Sequence, residues 1–216
     1  MKRIMVLSVF IMVLYSVCFS RDFNEIAENG TPEEIQAAVN GGAEVNKRDE
    51  NGWTPLLFAT LYNTNMEVIK TLVKLGADVN AKNDTEWTPL MFAVFSKKKP
   101  EVITTLVKLG ADINAKDDLG WTPLMLAAEQ NTNPEMITTL VKLGADTHAE
   151  DDLGRTPLML AAEQNTNPEV IMALLKSGAN AKARDIGGKT ALDYIQDNEH
   201  LKNTKAYRAL NDAQYK

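Results

Sequence analysis

The feature that most constrains this chain is a motif that returns at a fixed interval. Thr-Pro-Leu, with a related Thr-Ala-Leu as the last copy, begins every 34 residues, at Thr54, Thr88, Thr122, Thr156 and Thr190. Glycines keep the same interval, at Gly42, Gly76, Gly110, Gly144 and Gly178. A fixed period of this length is typical of repeat proteins, in which each repeat buries its core against its neighbours.

Each period predicts two short antiparallel helices and a polar connection. Thr122 can cap a helix with its hydroxyl, and the proline after it suits the first helical position. Asn133, followed by proline and Glu135, repeats this arrangement for a second helix. Gly144 then ends that helix as a left-handed residue. The polar residues that lead to the next copy carry Asp and Gly turn signals, and they predict an extended turn or finger.

The complete pattern resembles the ankyrin repeat. The elements Gly-x-Thr-Pro-Leu-x-x-Ala-Ala and Leu-Val-Lys-x-Gly-Ala-Asp-x-Asn-Ala carry the resemblance over about residues 22–210. The period also suits the tetratricopeptide repeat, but the tryptophan, tyrosine and terminal proline of that pattern are not at matching places. The resemblance implies an all-α fold class: an ankyrin-repeat solenoid of stacked helix-turn-helix units with β-turn or hairpin fingers.

Two departures from the family pattern affect what can be expected of the structure. The histidine that usually follows Thr-Pro-Leu is replaced in each full repeat, by Leu57, Met91, Met125 and Met159. The hydrogen bond that such a histidine makes therefore cannot be assumed. Glu86 also stands where the other full repeats have a turn glycine, so we expect its finger to be looser than its neighbours.

The ends of the chain predict a signal peptide and two caps. Lys2 and Arg3 precede an apolar run too short to favour a membrane-spanning helix, and this predicts a secretory signal over residues 1–20, cleaved near Ser20. A lipid anchor on Cys18 is the alternative, although Val17 is a poor residue to precede a lipidated cysteine. The ankyrin-repeat domain then covers residues 21–216. It comprises an N-terminal cap at 22–48, full repeats at 49–82, 83–116, 117–150 and 151–184, and a C-terminal cap at 185–216.

Composition argues against several classes of function. The formal net charge of −6 disfavours general binding to nucleic acid or to anionic membranes. The only cysteine lies in the predicted signal, and the two histidines, His148 and His200, are far apart in sequence. With no phosphate loop and no His-carboxylate metal motif, we expect no catalysis and no cofactor. A calcium site formed by paired carboxylates of adjacent fingers is the alternative, at Asp117, Asp118, Asp151 and Asp152.

The residues before each Thr-Pro-Leu, and those near the end of each first helix, form the candidate binding surface. Equivalent residues of a repeat array stack in columns about 10 Å apart, so we expect one column of tryptophans. The N-terminal half of the surface is predicted to be aromatic and the C-terminal half polar and charged. The candidates are Trp53, Trp87, Trp121, Leu61, Tyr62, Phe95, Glu129, Gln130 and Arg155. The alternative reading is that each tryptophan packs on a neighbouring finger and only supports stacking.

The sequence therefore predicts a non-catalytic protein-protein interaction module, exported to the periplasm or secreted. The resemblance implies that an unidentified protein partner binds its concave face, and no nucleic acid or membrane partner is expected after signal cleavage. We expect a monomer. An inhibitor or immunity-type protein that blocks a co-exported enzyme is the alternative within binding. A calcium-dependent or catalytic exported protein is the alternative of another class.

Overall fold

The computed structural model describes residues 22–130 and 133–215. The predicted signal peptide at residues 1–20 lies outside the described residues. The chain forms two compact units, which divide between Asp84 and Thr85. Within the described ranges, no helix is long and apolar enough to cross a membrane.

The described part of the first unit contains four helices in two layers. They are α1 (Phe23–Asn29), α2 (Pro32–Asn40), α3 (Pro55–Tyr62) and α4 (Met66–Lys74). Helix α1 packs against α3 and α2 packs against α4, so each helix meets its counterpart in the next repeat. A capping box begins α2, where Thr31 Oγ1 accepts from Glu34 N at 3.3 Å and Glu34 Oε2 accepts from Thr31 N at 2.8 Å.

The second unit continues the same arrangement over its described residues with eight helices. They are α5 (Pro89–Phe95), α6 (Pro100–Lys108), α7 (Pro123–Gln130), α8 (Pro134–Lys142), α9 (Pro157–Gln164), α10 (Pro168–Lys176), α11 (Ala191–Asp197) and α12 (Lys205–Tyr215). An inner layer contains α5, α7, α9 and α11 in order, and an outer layer contains α6, α8, α10 and α12. Because the 22–130 and 133–215 ranges contain helices and no strand, the predicted all-α fold class is confirmed.

Inner and outer helices differ in how much of their surface they bury. In α7 every residue from Pro123 to Ala128 is buried, because the helix packs against inner helices on both sides and against its own outer helix. In α8 only Met136, Ile137 and Leu140 are buried, which leaves an exposed side. Burial of an aliphatic side chain contributes about 1.5–3 kcal/mol, so the inner layer supplies most of the packing energy. It also leaves only the ends of the inner helices to face solvent.

An asparagine in the turn between the two helices ties neighbouring repeats together. In the second unit, Asn165 Nδ2 donates to Ala128 O at 2.7 Å, and Asn198 Nδ2 donates to Ala162 O at 3.0 Å. In the first unit, Asn63 Nδ2 donates to Ala27 O at 3.0 Å. These carbonyls lie near the C-terminal ends of inner helices, where the helix itself leaves acceptors without partners. All three asparagines are buried, so the bonds form away from water.

In four of the five fingers an aspartate accepts hydrogen bonds from its own turn, at Asp49, Asp117, Asp151 and Asp185, whereas Asn83 holds this position in the other finger. Asp117 Oδ1 accepts from Leu119 N at 3.0 Å and from Trp121 N at 2.8 Å, while Gly120 takes φ +76°. Glu86 adopts φ +61° at the equivalent position, a conformation that costs an L-residue about 1–2 kcal/mol. The finger thus keeps the turn conformation without glycine. Whether it is looser than its neighbours stays a prediction.

Consecutive fingers are joined by backbone hydrogen bonds, which we call the finger ladder. In the second unit it consists of Asp118 N to Thr85 O at 3.5 Å, Asp152 N to Leu119 O at 3.2 Å, and Ile186 N to Leu153 O at 3.0 Å. The first unit contains one such bond, from Asp84 N to Asn51 O at 3.2 Å. The ladder fixes the position of each finger tip relative to the one before it.

Methionine sulfur accepts a hydrogen bond at the position where the ankyrin pattern usually has a histidine. Met125 Sδ accepts from Thr122 N at 3.4 Å, and Thr122 Oγ1 accepts from Met125 N at 3.3 Å. Met91 and Met159 make the same reciprocal pair of bonds. Leu57 has no acceptor atom to offer, and the buried hydroxyl of Thr54 has no hydrogen-bond partner. Methionine therefore preserves the cap in three repeats, whereas leucine leaves it incomplete.

This difference predicts opposite effects for one substitution in two repeats. Thr156→Val removes a capping hydroxyl, so the free energy of unfolding should fall by about 1 kcal/mol. Thr54→Val removes a buried hydroxyl that bonds to nothing, so stability should stay unchanged or rise. Urea unfolding of both variants, followed by circular dichroism, measures the difference. Equal losses in the two variants would show that the Thr54 hydroxyl does cap α3.

Candidate functional site

In the first unit, two candidate residues, Trp53 and Tyr62, form an aromatic cluster with Phe58. The Trp53 and Phe58 ring centroids are 5.1 Å apart, and those of Phe58 and Tyr62 are 6.5 Å apart. Trp53 and Leu61 are half-buried, whereas Tyr62 is 52% exposed. The cluster therefore has a packed inner part and a tyrosine that faces solvent.

The second unit repeats this arrangement with a second aromatic cluster, formed by Trp87, Phe92 and Phe95. The Trp87 ring packs at 5.0 Å from buried Phe92 and edge-on at 5.4 Å from Phe95, measured between ring centroids. Phe95 is 44% exposed. The indole Nε1 of Trp87 donates to Asp117 Oδ2 at 3.0 Å, in the next finger. Trp87 thus has a role in joining repeats, and it holds Phe95 in place at the surface.

In the following repeats, the guanidinium of Arg155 lies over the indole ring of Trp121. The Arg155 guanidinium carbon lies 5.7 Å from the centroid of Trp121, within cation–π range. Arg155 also donates to Asp151 Oδ2 at 2.9 Å from both Nε and Nη2, and to Glu163 Oε2 at 3.3 Å. Its side chain is only 19% exposed. Arg155, a predicted partner contact, is thus held by groups of its own chain and positions Trp121.

The remaining polar candidates lie at the end of α7. Glu129 is half-buried, and Gln130 is exposed and donates to Glu129 Oε2 at 2.9 Å. Both line a shallow groove of about 340 Å³ together with Gln164, Asn165 and Thr166. Polar groups of this kind are typical of the rim of a protein contact more than of its centre.

In the C-terminal cap, the residue equivalent to these tryptophans is Lys189. Lys189 lies 5.3 Å above the Tyr194 ring, and the Tyr194 hydroxyl donates to Asp185 Oδ2 at 2.5 Å. Burial, followed by the hydrogen bond to Asp185, raises the pKa of Tyr194 to about 12. The phenol therefore stays protonated at neutral pH and acts as a hydrogen-bond donor that closes the final finger.

The finger carboxylates that suggested calcium are used in two different ways. Asp117 and Asp151 have both oxygens engaged in the fingers and their neighbours. Asp118 and Asp152 are exposed. Within the described residues, no group of three or more His, Cys, Asp or Glu side chains is arranged to hold a metal ion. His148 and His200 are both exposed.

Two of the three tryptophans of the predicted column, Trp87 and Trp121, are linked through one aspartate. Asp117 connects Trp87 to the finger of Trp121, because its Oδ2 accepts from the Trp87 indole and its Oδ1 accepts from the Trp121 backbone. This supports stacking as one role for Trp87. Trp53 belongs to the first unit, so its place in a common column stays a prediction.

Exposed aliphatic side chains on the fingers of the second unit were missed by sequence reasoning. They are Leu119, Leu153 and Ile186. The fingers were interpreted as polar because aspartates and glycines dominate them, and these three side chains are exceptions to that interpretation. The available signal was a large aliphatic residue inside each turn, where small or polar residues are usual.

The chain is a helical repeat protein: its short helices stack in pairs that fingers connect. Partly exposed aromatic side chains lie at the ends of two inner helices. A family model described as "Ankyrin repeats (3 copies)" matches residues 23–117 and 124–210, and one described as "Ankyrin repeats (many copies)" matches residues 95–141. The chain belongs to the ankyrin repeat family. No curated protein matches it. Ankyrin repeats are generally protein–protein interaction modules and are typically non-catalytic.

We predict that Arg155 stabilises the second unit through Asp151 and Trp121. Arg155→Gln leaves the buried Asp151 carboxylate without its cation, so the free energy of unfolding should fall by about 3 kcal/mol. The fluorescence of Trp121 should change because the guanidinium no longer lies over its ring. Urea unfolding and tryptophan emission measure the two effects. Arg184→Gln, at an exposed arginine, is the control and should cost less than about 1 kcal/mol; equal costs would contradict the assignment.

Proposed function

We propose that this chain is a non-catalytic module that binds a partner protein through the exposed members of its two aromatic clusters. Tyr62 is the exposed member in the first unit, and Phe95 is the exposed member in the second. The single observation that carries the proposal is the packing of Phe95: a large apolar ring, 44% exposed, held edge-on by Trp87. Aromatic side chains that are fixed before binding are typical anchors of protein contacts.

Comparison among the repeats indicates that these aromatics are not required for folding. The positions of Leu61 and Phe95 carry Glu129 and Glu163 in the following repeats. The position of Tyr62 likewise carries a glutamine in α7 and in α9. These inner helices form with either kind of residue. An exposed aromatic ring at a position that accepts a charged side chain adds little to folding, which favours a role in recognition.

Preorganisation explains how the clusters would contribute affinity. Trp87 is fixed by its bond to Asp117 and by contact with buried Phe92, and these contacts restrict the Phe95 ring before a partner arrives. Little side-chain entropy is then lost on binding. Glu129 and Gln130 would lie at the polar rim of such a contact, whereas Arg155 would act by positioning Trp121.

The test is affinity capture from the exported fraction of the source organism with matched variants. We expect a protein retained by the unmodified chain to be lost by the double variant Tyr62→Gln and Phe95→Glu, because each change installs a residue that the chain itself uses at that position. Lys108→Gln with Lys142→Gln, on the exposed side of the outer helices, is the control and should retain the protein. Mass spectrometry of the bound proteins gives the readout. Equal capture by all three chains would contradict the aromatic anchors.

We also propose that the protein is exported, with a periplasmic or secreted location. The basic residues Lys2 and Arg3, the short apolar run and the small residue at Ser20 support this proposal. Expression of the full-length chain in a bacterial host should yield a product that lacks about the first 20 residues, measured by intact mass and N-terminal sequencing. Replacement of two residues within the apolar run by arginine should prevent processing. An uncleaved product in the cytosol would contradict export.

A further inference from the structure

We infer that a groove between the outer helices α10 and α12 binds a small anionic amphiphile, a long-chain fatty acid. The groove lies within the second unit and has a volume of about 490 Å³. Small-molecule sites commonly have volumes of about 300–1,000 Å³. A stable protein contact instead needs about 800 Å² on each partner. The size therefore favours a small molecule, and the site goes beyond the proposed partner contact, because its lining shares no residue with either aromatic cluster.

The lining of the groove is largely apolar because α10 carries larger apolar side chains than the outer helices before it. Met172 and Leu175 line the groove, and both are half-buried. Helices α6 and α8 have threonine at the position of Met172 and valine at the position of Leu175. On the side of α12 the lining consists of small residues, Ala209 and Ala213, which take up little of the space. Apolar groups on both sides of the groove suit an aliphatic tail.

The charge of the groove differs from that of the earlier repeats in the direction that favours an anion. Asn180 stands where the three preceding full repeats have aspartate, and Lys182 stands where they have asparagine or histidine. Lys176 and Lys182 both line the groove and are exposed, and neither forms an ion pair with any described residue. Among the described residues, no carboxylate lines the groove. Two cations without partners at an apolar groove therefore complement a carboxylate head group.

The polar lining keeps the bonds of the turn while it changes the charge. Asn180 Oδ1 accepts from Lys182 N at 3.0 Å, just as Asp146 Oδ1 accepts from His148 N at 2.8 Å in the repeat before. Asn180 Nδ2 has no hydrogen-bond partner among the described residues, so it can donate to a ligand. Asn114, which is equivalent to Lys182, bonds to the backbone of the following repeat. The Lys182 side chain makes no such bond within the described part of the chain.

These departures from the chain's own repeat pattern converge on one place. In a single repeat, two substitutions enlarge the apolar lining, at Met172 and Leu175, and two raise the local charge, at Asn180 and Lys182. The carboxylate would lie near Lys182 and Asn180, and the tail would lie along Met172 and Leu175. Burial of the tail supplies affinity, and the lysines select an anion over a neutral or cationic amphiphile.

The test is isothermal titration calorimetry of the full-length protein with dodecanoate, below its micelle concentration. We expect saturable binding that weakens as the salt concentration rises, and weaker binding of octanoate, which has a shorter tail. Dodecanol lacks the charge and dodecyltrimethylammonium reverses it, so each should bind at least about tenfold more weakly than dodecanoate. Acetate, which has the head group without the tail, should show no binding at the same concentrations.

A double variant, Asn180→Asp with Lys182→Asn, tests the head-group end of the groove. It installs the residues that the repeat at 83–116 carries at two exposed positions, so the fold should stay intact. Its affinity for dodecanoate should fall at least about tenfold. Lys108→Gln with Lys142→Gln is the control, because it lowers the net charge by the same amount on exposed positions of α6 and α8. The control should bind dodecanoate as the unmodified protein does.

A second double variant, Met172→Thr with Leu175→Val, tests the tail end with residues that α8 already carries. Thermal unfolding checks that it folds, and its affinity for dodecanoate should fall severalfold because less apolar surface contacts the tail. Three results would each overturn the inference: equal affinity for dodecanoate and dodecanol, unchanged affinity in the head-group variant, or the same loss in that variant and its control. None of them bears on the aromatic anchors, whose residues lie outside the groove.

Discussion

Burial of each inner helix against the inner helices beside it is the interaction on which the rest of each unit depends. Helix α7 shows this most clearly, because every residue from Pro123 to Ala128 is buried. A single pair of short helices could not bury this much apolar surface by itself, so each repeat requires its neighbours. The same packing leaves only the finger tips, the helix ends and the outer helices exposed. Candidate contacts with other molecules are therefore confined to those places.

Polar groups then set the register of the packed helices. Buried asparagines such as Asn165 bond to carbonyls of the preceding repeat, and Asp117 closes its own finger while accepting from the Trp87 indole of the repeat before. A buried amide or carboxylate without these partners would cost free energy, so the bonds favour one alignment of neighbouring repeats. The candidate anchors benefit from this order, since Phe95 is held by Trp87, and Trp87 is held by Asp117.

Sequence reasoning predicted the features that depend on local chemistry. The proline after Thr122 begins α7, the Asn133 side chain caps α8, and Gly144 follows α8 with a positive φ, because these residues act on the backbone within a few positions of themselves. Contacts between repeats were harder to predict. The sequence did not indicate that Arg155, which was predicted as a partner contact, also lies over Trp121 and next to Asp151. Likewise, the Met125 sulfur accepts a hydrogen bond from Thr122 N at the start of α7, which the repeat period does not indicate.

The sequence by itself determined the repeat length, the helix boundaries, the family and the residues that point away from the core at the ends of the inner helices. These follow from a regular period, in which every copy repeats the same local signals. Only the tertiary structure decided which exposed candidates are held within the chain and which are available. Whether a side chain such as Arg155 or Leu119 meets protein or water depends on the residues that stacking brings beside it. Those residues lie about one repeat away, where local propensity carries no information.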